Sequence, residues 1–319
     1  MTSLNLAFIL DPLPLLKACK DSSIAMMREA AKRGHRIFAI ERAALSWQNA
    51  VVSATATELH LSGNDQAWYN ALEVTEGALK RFDAVLMRQD PPFDFEYIAA
   101  TWLLERAHDS GVRVFNHPRA IRDHSEKIAI TEFPQFIAPT LVARQRRELE
   151  QFIDQWQDTI LKPLDGMGGS QIFRVRHDDP NRNVILETLT LDGQRTIMAQ
   201  KYLPGITQGD KRILILGGEV IPYALARIPR AGETRGNLAA GGKGVAMPLT
   251  PREKEIAQTL APILWQRGLL IVGLDVIDGH LTEINVTSPT CFVEISQQTD
   301  CHTTGILIDQ LEKACIAPN

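Results

Sequence analysis

Apolar runs and amphipathic stretches take turns along the first third of the chain. LNLAFIL (Leu4–Leu10) is a nearly continuous apolar run that stops at Asp11-Pro12, the pattern of a buried strand. SSIAMMREAAKRG (22–34) follows with apolar residues at helical spacing; Ser22 or Ser23 is the expected N-cap and Gly34 the stop. HRIFAIE (35–41) reads as a second strand, FDAVLMRQD (82–90) as a third and VRVFN (112–116) as a fourth, with a helix over FEYIAATWLLERAHDSG (95–111) between the last two. Strands that alternate with helices predict a parallel sheet with crossovers. Residues 41–80 carry no comparable pattern and read as polar loops around one or two strands.

The pattern changes after residue 120. TILKPLDGMGGSQIFRVR (159–176) predicts two strands around a glycine turn, and TIMAQKYLP (196–204) a further strand. KRILILGGEVIPYALARIP (211–229) and LLIVGLDVIDGHLTEINV (269–286) predict hairpins, and helices over 146–157, 252–268 and 304–316 are interleaved. The expected class is an α/β N-terminal domain with a parallel sheet, followed by α+β subdomains with largely antiparallel sheets. The expected division is 1–120, 121–203 and 204–319.

Composition excludes more than it assigns. The chain has 319 residues, 45% hydrophobic and 23% charged, with a formal net charge of −4. That is an ordinary globular balance, and without a basic excess nucleic acid is not an expected partner. No apolar stretch reaches the roughly 20 residues that span a bilayer, so no membrane partner is expected either. The first apolar run lacks a basic segment before it and is read as a strand, not a signal peptide. The four cysteines, Cys19, Cys291, Cys301 and Cys315, form no C-x-x-C pair. Reduced thiols in a cytoplasmic protein are expected, with Cys291 a packed thiol.

Chemistry enters in four places. Lys162 on a strand precedes Gly166, Gly168 and Gly169, whose backbone can approach a phosphate closely. Glu283 and Asn285, two apart on a strand, share a face, and with Asp275 they offer oxygen ligands suited to Mg²⁺. Asp275 can join that face only if it pairs directly with Glu283. A regular two-residue turn at Asp278-Gly279 would pair it with Thr282 and send it to the other face, so a bulge or a three-residue connection is required. Arg212, Arg227 and Arg235 can grip phosphate or carboxylate. Ser22 and Arg88, near the carboxyl ends of the first strands, and Ser288 are candidates for substrate contact. Finally, the basic, glycine-rich stretch Ile228 to Gly244 has neither helical nor strand pattern and is expected to act as a flexible lid.

The order Lys127, Lys162 with its glycine turn, QKYLP, Arg212, Arg227, the basic loop, Asp275 and EIN resembles the ATP-grasp ligases. KPLDGMGGS, GDKR, ARIP, GETRGNLAAGG and LTEINVTSPT, with DPPFD earlier, are similar to the bacterial glutathione synthetases over nearly the whole chain. The resemblance implies ATP-grasp subdomains and ATP-dependent joining of γ-glutamylcysteine to glycine through an acyl phosphate. It implies Lys127 and Lys162 on the ATP phosphates, Gln200, Tyr202 and Leu203 at the adenine, and Asp210 at the ribose. It implies Mg²⁺ or Mn²⁺ on Asp275, Glu283 and Asn285, arginines around the transferred phosphoryl group, and a homo-oligomer. Two alternatives stay open at this point: another ligase of the same fold with a different acceptor, and a nucleotide-binding regulatory protein.

Overall fold

The computed structural model describes residues 3–166, 168–230, 236, 238 and 241–316. Among them are three sheets. The first is built from β1 (Asn5–Leu10), β2 (Arg36–Glu41), β3 (Leu45–Gln48), β4 (Val51–Leu61), β5 (Tyr69–Ala78), β6 (Ala84–Met87) and β7 (Val114–Phe115). β2, β1, β6 and β7 run parallel, as the alternation predicts, with α1 (Ser22–Lys32) and α2 (Phe95–Asp109) as crossovers. A short helix, α3 (Pro118–Asp123), follows. Residues 41–80 correct the expectation: β3, β4 and β5 form a long antiparallel extension paired to β2 through β4. β4 buries Val52, Ala54, Ala56 and Leu59 and shifts register between Thr57 and Leu59, while β5 buries none of its residues and exposes Leu72 and Val74, so the extension carries little hydrophobic period in the sequence.

A second correction falls on α1. Its N-cap is Asp21, whose side chain accepts from Ile24 N at 2.9 Å, not Ser22 or Ser23. A carboxylate at the cap also complements the helix dipole. The two serines therefore sit inside the first turn and are buried.

The second sheet has the order β10-β9-β11-β8, all antiparallel. Its strands are β8 (Thr140–Ala143), β9 (Asp158–Pro163), β10 (Phe173–Arg176) and β11 (Ile197–Lys201). Helices α4 (Arg146–Trp156) and α5 (Arg182–Thr190) cover it, burying Leu149, Ile153, Leu186 and Leu189.

The third sheet is antiparallel with the order β14-β13-β12-β15-β16. Its strands are β12 (Asp210–Leu216), β13 (Glu219–Ile228), β14 (Lys243–Pro248), β15 (Ile271–Ile277) and β16 (His280–Asn285). Ile213, Ile215, Val272, Leu274, Leu281 and Ile284 point to one face and pack with α6 (Pro251–Gln266). The other face is divided. Leu214, Leu216 and Leu225 join a core that also contains α1, β1 and the last two helices, α7 (Phe292–Gln298) and α8 (Thr303–Ile316). Beyond those leucines the same face becomes charged, with Asp210 and Arg212 two apart on β12.

No helix among the described residues is long and apolar enough to cross a membrane. Of the 17 residues of the expected lid, eight, Arg235 among them, lie outside the described residues; at its ends Ile228 closes β13 and Lys243 and Gly244 open β14, where no strand was expected.

Candidate active site

A cavity of about 320 Å³ opens between the second and third sheets, with Asp90 and Pro91, from the loop after β6, at its border. Strand alternation supplies its floor. Asp210 pairs with Arg227 across β12 and β13, Arg212 with Asp275 across β12 and β15, and Asp275 with Glu283 across β15 and β16. Cross-strand partners share a face, so one register collects five charged side chains.

The β15–β16 hairpin resolves the register question. Ile277 faces His280 and Val276 faces Leu281, so Asp278 and Gly279 form a two-residue turn, with φ of 50° and 70°. Asp275 nevertheless faces Glu283, because the register shifts at Thr282. Thr282 is the additional residue of a β-bulge, a device that re-aims side chains. Its hydroxyl donates to Asp275 O at 3.1 Å, and its carbonyl accepts from Lys162 Nζ at 3.4 Å. The bulge therefore brings Asp275 to the face that carries Glu283 and Asn285 and also gives Lys162 an anchor.

Asp275 is the hub. Its carboxylate accepts from Arg212 Nε at 2.5 Å and Nη2 at 3.1 Å, and Arg227 Nη2 lies 2.9 Å away. Burial alone would push this carboxyl up, but the two guanidiniums outweigh it and hold it well below the usual carboxylate range. Arg227 also reaches Asp210 at 2.5 Å. Burial pushes the Asp210 carboxyl up to about 7, with Arg227 pulling against that rise and Asp275 and Glu283 adding to it. Asp210, given to the ribose by the resemblance, is thus the partner of Arg227 in this structure. Gly273 lies beneath Arg212: a Cβ there would stand 2.8 Å from Arg212 Cδ and 3.0 Å from Pro289 Cβ.

The lysines complete the wall. Lys127 Nζ donates to Gly166 O at 2.5 Å and stands 3.7 Å from Glu283; Lys162 Nζ stands 3.6 Å from the same carboxylate oxygen. Burial pulls the Lys162 ammonium below its ordinary pKa, with Glu283 working against it. Gly168 and Gly169, both in the left-handed region, line the same cavity with Gly166. So do Gln200, Tyr202, Leu203 and Asn285. The Gln200 amide donates to Thr140 Oγ1 at 2.9 Å, and Arg174 stacks 3.6 Å over the Tyr202 ring.

Ser22 and Arg88 do not line the large cavity. They form a smaller pocket beside it, and Ser288 belongs to both. Sequence reasoning missed Glu126 and Thr287. Glu126 Oε1 accepts from Thr287 Oγ1 at 2.7 Å and from the Val286 and Thr287 amides at 3.4 Å, holding the segment after the Glu283–Asn285 pair. Burial raises the Glu126 carboxyl. Its position next to Lys127 was the available sequence clue. Cys291 is buried on the cavity wall and precedes α7 with φ 84°.

Similar architectures occur among ligases of the ATP-grasp fold. The structure of the ATP-grasp ligase PsnB complexed with minimal precursor aligns with a TM-score of 0.65 at 15% identity, covering 98% of this chain and 99% of that one. D-cycloserine synthetase DcsG aligns with a TM-score of 0.65 at 15% identity, covering 97% and 99%. The fold is that of an ATP-grasp ligase. Residues 126–300 match the ATP-grasp domain of prokaryotic glutathione synthetase, and residues 4–122 match its N-terminal domain. Glutathione synthetase of Ralstonia nicotianae is 56% identical over 311 residues, 98% of this chain and 96% of that protein. That of Nitrosomonas europaea is 56% identical over 313 residues, covering 97% and 98%. The chain belongs to the prokaryotic glutathione synthetases.

Proposed function

We propose that this chain is an ATP-dependent ligase that joins γ-glutamylcysteine to glycine, giving glutathione, ADP and phosphate. The observation that supports it best is the cavity itself, where Lys127, Lys162, Arg212 and Arg227 converge on the face that carries Asp275, Glu283 and Asn285.

The chemistry follows from the charges. A free carboxylate is a poor electrophile, because attack adds charge to an anion. The cysteinyl carboxylate oxygen attacks the γ-phosphorus, and the bond to ADP breaks. The glycine amine then attacks the acyl carbon, phosphate leaves, and the amine gives up a proton. No serine or cysteine nucleophile is needed. Catalysis rests on positioning and charge neutralisation. Lys127 and Lys162 hold the phosphates beside Gly166, Gly168 and Gly169, while Gln200, Tyr202 and Leu203 receive the adenine. Arg212 and Arg227, fixed by Asp275 and Asp210, face the transferred group.

The residues present fit a divalent metal. Among the described residues, five cationic and five anionic side chains line the cavity, so the protein alone leaves a triphosphate uncompensated. Glu283 and Asn285 project from one face, and Asp275 shares its carboxylate with arginines. One or two carboxylates, completed by substrate phosphates, is the usual Mg²⁺ arrangement. The ion supplies charge neutralisation of the phosphoryl oxygens when bound, and Mn²⁺ is expected to substitute.

In support of a homo-oligomer, the edge strand β5 exposes Leu72 and Val74. The activity is tested by ADP release with γ-glutamylcysteine plus glycine, against D-alanine or glutamate as acceptor, with glutathione identified by mass. ADP release with another acceptor alone would favour a different ligase. Glu283→Gln and Asn285→Ala are expected to leave the melting temperature within a few degrees of wild type. They should lower kcat by about 100-fold or more, a few kcal/mol of lost charge stabilisation. Wild-type turnover by both variants at limiting Mg²⁺ would remove the metal assignment.

A further inference from the structure

β16 is an edge strand of the third sheet, and one residue from outside the sheet grips its open edge. The Glu126 carbonyl accepts from Ile284 N at 2.9 Å. Its carboxylate oxygen Oε1 reaches past Asn285 and accepts from Thr287 Oγ1 at 2.7 Å and from the Val286 and Thr287 amides at 3.4 Å. The main chain and the side chain of Glu126 therefore bracket Asn285.

The bracket bears on both residues suited to hold the metal. Asn285 Nδ2 donates to Gly273 O at 3.2 Å, which leaves Oδ1, the acceptor atom, for a cation. Glu283 faces the lysine that follows Glu126: Lys127 Nζ stands 3.7 Å from Glu283 Oε1. Residues 126 and 127 thus meet β16 and its continuation at 283, 284, 286 and 287. A slip along this edge would shift Lys127 against Glu283 and Asn285 together. The position calls for an acceptor more than for a charge. Glu126 shares the cavity wall with four other carboxylates, Asp90, Asp210, Asp275 and Glu283. Burial and Glu283 both oppose its ionised form, against Thr287 and Lys127.

We propose that Glu126 is a positioning residue for the reaction, whose grip on β16 holds Asn285 and Glu283 in ligand geometry opposite Lys127. The proposal rests on the ligase reading above and deepens it. Glu126 acts through Thr287 and the strand edge, not on the phosphate or the ion. Partners that orient metal ligands from behind are worth about 10–100-fold in metal affinity or activity.

The test compares wild type with Glu126→Ala, Glu126→Gln, Thr287→Val and the double variant Glu126→Ala/Thr287→Val. Three quantities are read: kcat for ADP release with γ-glutamylcysteine and glycine, Mn²⁺ affinity by electron paramagnetic resonance with ADP present, and the melting temperature. Glu126→Ala should lower kcat and Mn²⁺ affinity by about 10–100-fold each. Glu126→Gln keeps an acceptor oxygen for Thr287 and loses the charge, so it should recover most of that loss. Thr287→Val should fall between wild type and Glu126→Ala. The double variant should be no worse than Glu126→Ala, because both changes cut the same contact. Wild-type kcat and Mn²⁺ affinity in Glu126→Ala, with only the melting temperature lowered, would make Glu126 a structural residue and overturn the proposal. A Glu126→Gln enzyme as impaired as Glu126→Ala would place the effect in the charge and overturn it too, as would additive losses in the double variant. If Glu126→Ala fails to fold, Thr287→Val decides, and wild-type kcat and Mn²⁺ affinity there overturn the proposal while leaving the ligase standing. A wild-type enzyme that releases no ADP with γ-glutamylcysteine and glycine overturns the ligase reading, and the role of Glu126 with it.

Discussion

Asp275 shows how much one buried carboxylate can organise. It fixes two arginines and faces Glu283 across the bulge, while the backbone carbonyl of the same residue accepts from Thr282. A buried pair adds little net stability over an apolar replacement, but removing one partner leaves the others unpaired, at about 3–5 kcal/mol. Asp275→Asn should cost that much near pH 7. The folded-state pKa of Asp275 is depressed, so its ionic contribution is complete above the unfolded value of about 3.9 and is lost as pH falls below it. Urea unfolding at stepped pH checks this: wild type should lose stability faster than Asp275→Asn below about pH 4, and the gap between them should narrow. A constant gap down to pH 3 would mean that the arginines do not hold the carboxylate ionised.

At the scale of the element, β12 and β15 show why a glycine occupies a strand centre. Gly273 and Asp275 are two apart on β15, and Arg212 extends from Asp275 across Gly273. Gly273→Ala is therefore expected to push Arg212 off its bidentate contact. The strand interior favours alanine over glycine by roughly 0.5–1 kcal/mol, and overpacking opposes this by about 1–3 kcal/mol, so modest net destabilisation follows. In the proposed ligase Arg212 faces the transferred phosphoryl group, so activity should suffer more, with kcat reduced about 10-fold or more. Steady-state kinetics beside a melting curve separates the two; wild-type kcat with a lowered melting temperature would show that Arg212 keeps its place.

Across the whole molecule, the first and third sheets do not stand apart. Leu6 and Phe8 of β1, Ile24 and Met27 of α1, Leu214 and Leu216 of β12 and Leu307 and Leu311 of α8 belong to one buried cluster. Polar contacts reinforce the seam: Arg33 meets Asp309 at 2.5 Å, and the His35 ring lies 2.9 Å from Glu312. Leu311→Ala should cost about 2–5 kcal/mol and lower the melting temperature of both sheets together. Far-ultraviolet circular dichroism and tryptophan fluorescence, which includes Trp68 of that cluster, should report one coincident transition. Two separated transitions in the variant would show that the sheets unfold independently. The small pocket lies along this seam, with Ser22 and Arg88 from one side and Ser288 and Thr290 from the other.

The sequence by itself determined the parallel strands of the first sheet, the hairpins of the third and, of the residues that meet in the cavity, Lys162, Arg212, Arg227, Asp275, Glu283 and Asn285, but not Glu126 or Thr287. Each of these rests on local periodicity or on runs such as LTEINVTSPT, whose residue types state their chemistry. It also required that a bulge or a longer turn accompany Asp275, because side-chain direction in a strand has a period of two. It did not determine which of those was used. At the bulge the carbonyl of Thr282 accepts from Lys162, 120 residues earlier, a contact no local pattern announces. The antiparallel extension over residues 45–78 was illegible for a related reason: β4 buries small alanines and shifts register between Thr57 and Leu59, β5 exposes its apolar Leu72 and Val74, and the pairing with β2 is a long-range contact. The small pocket belongs wholly to the tertiary structure. Nothing near Ser22 marks its hydroxyl as unpaired. That follows from Asp21 taking the helix cap and from Arg88 and Ser288 arriving from distant parts of the chain, where burial turns ordinary polar groups into unsatisfied ones.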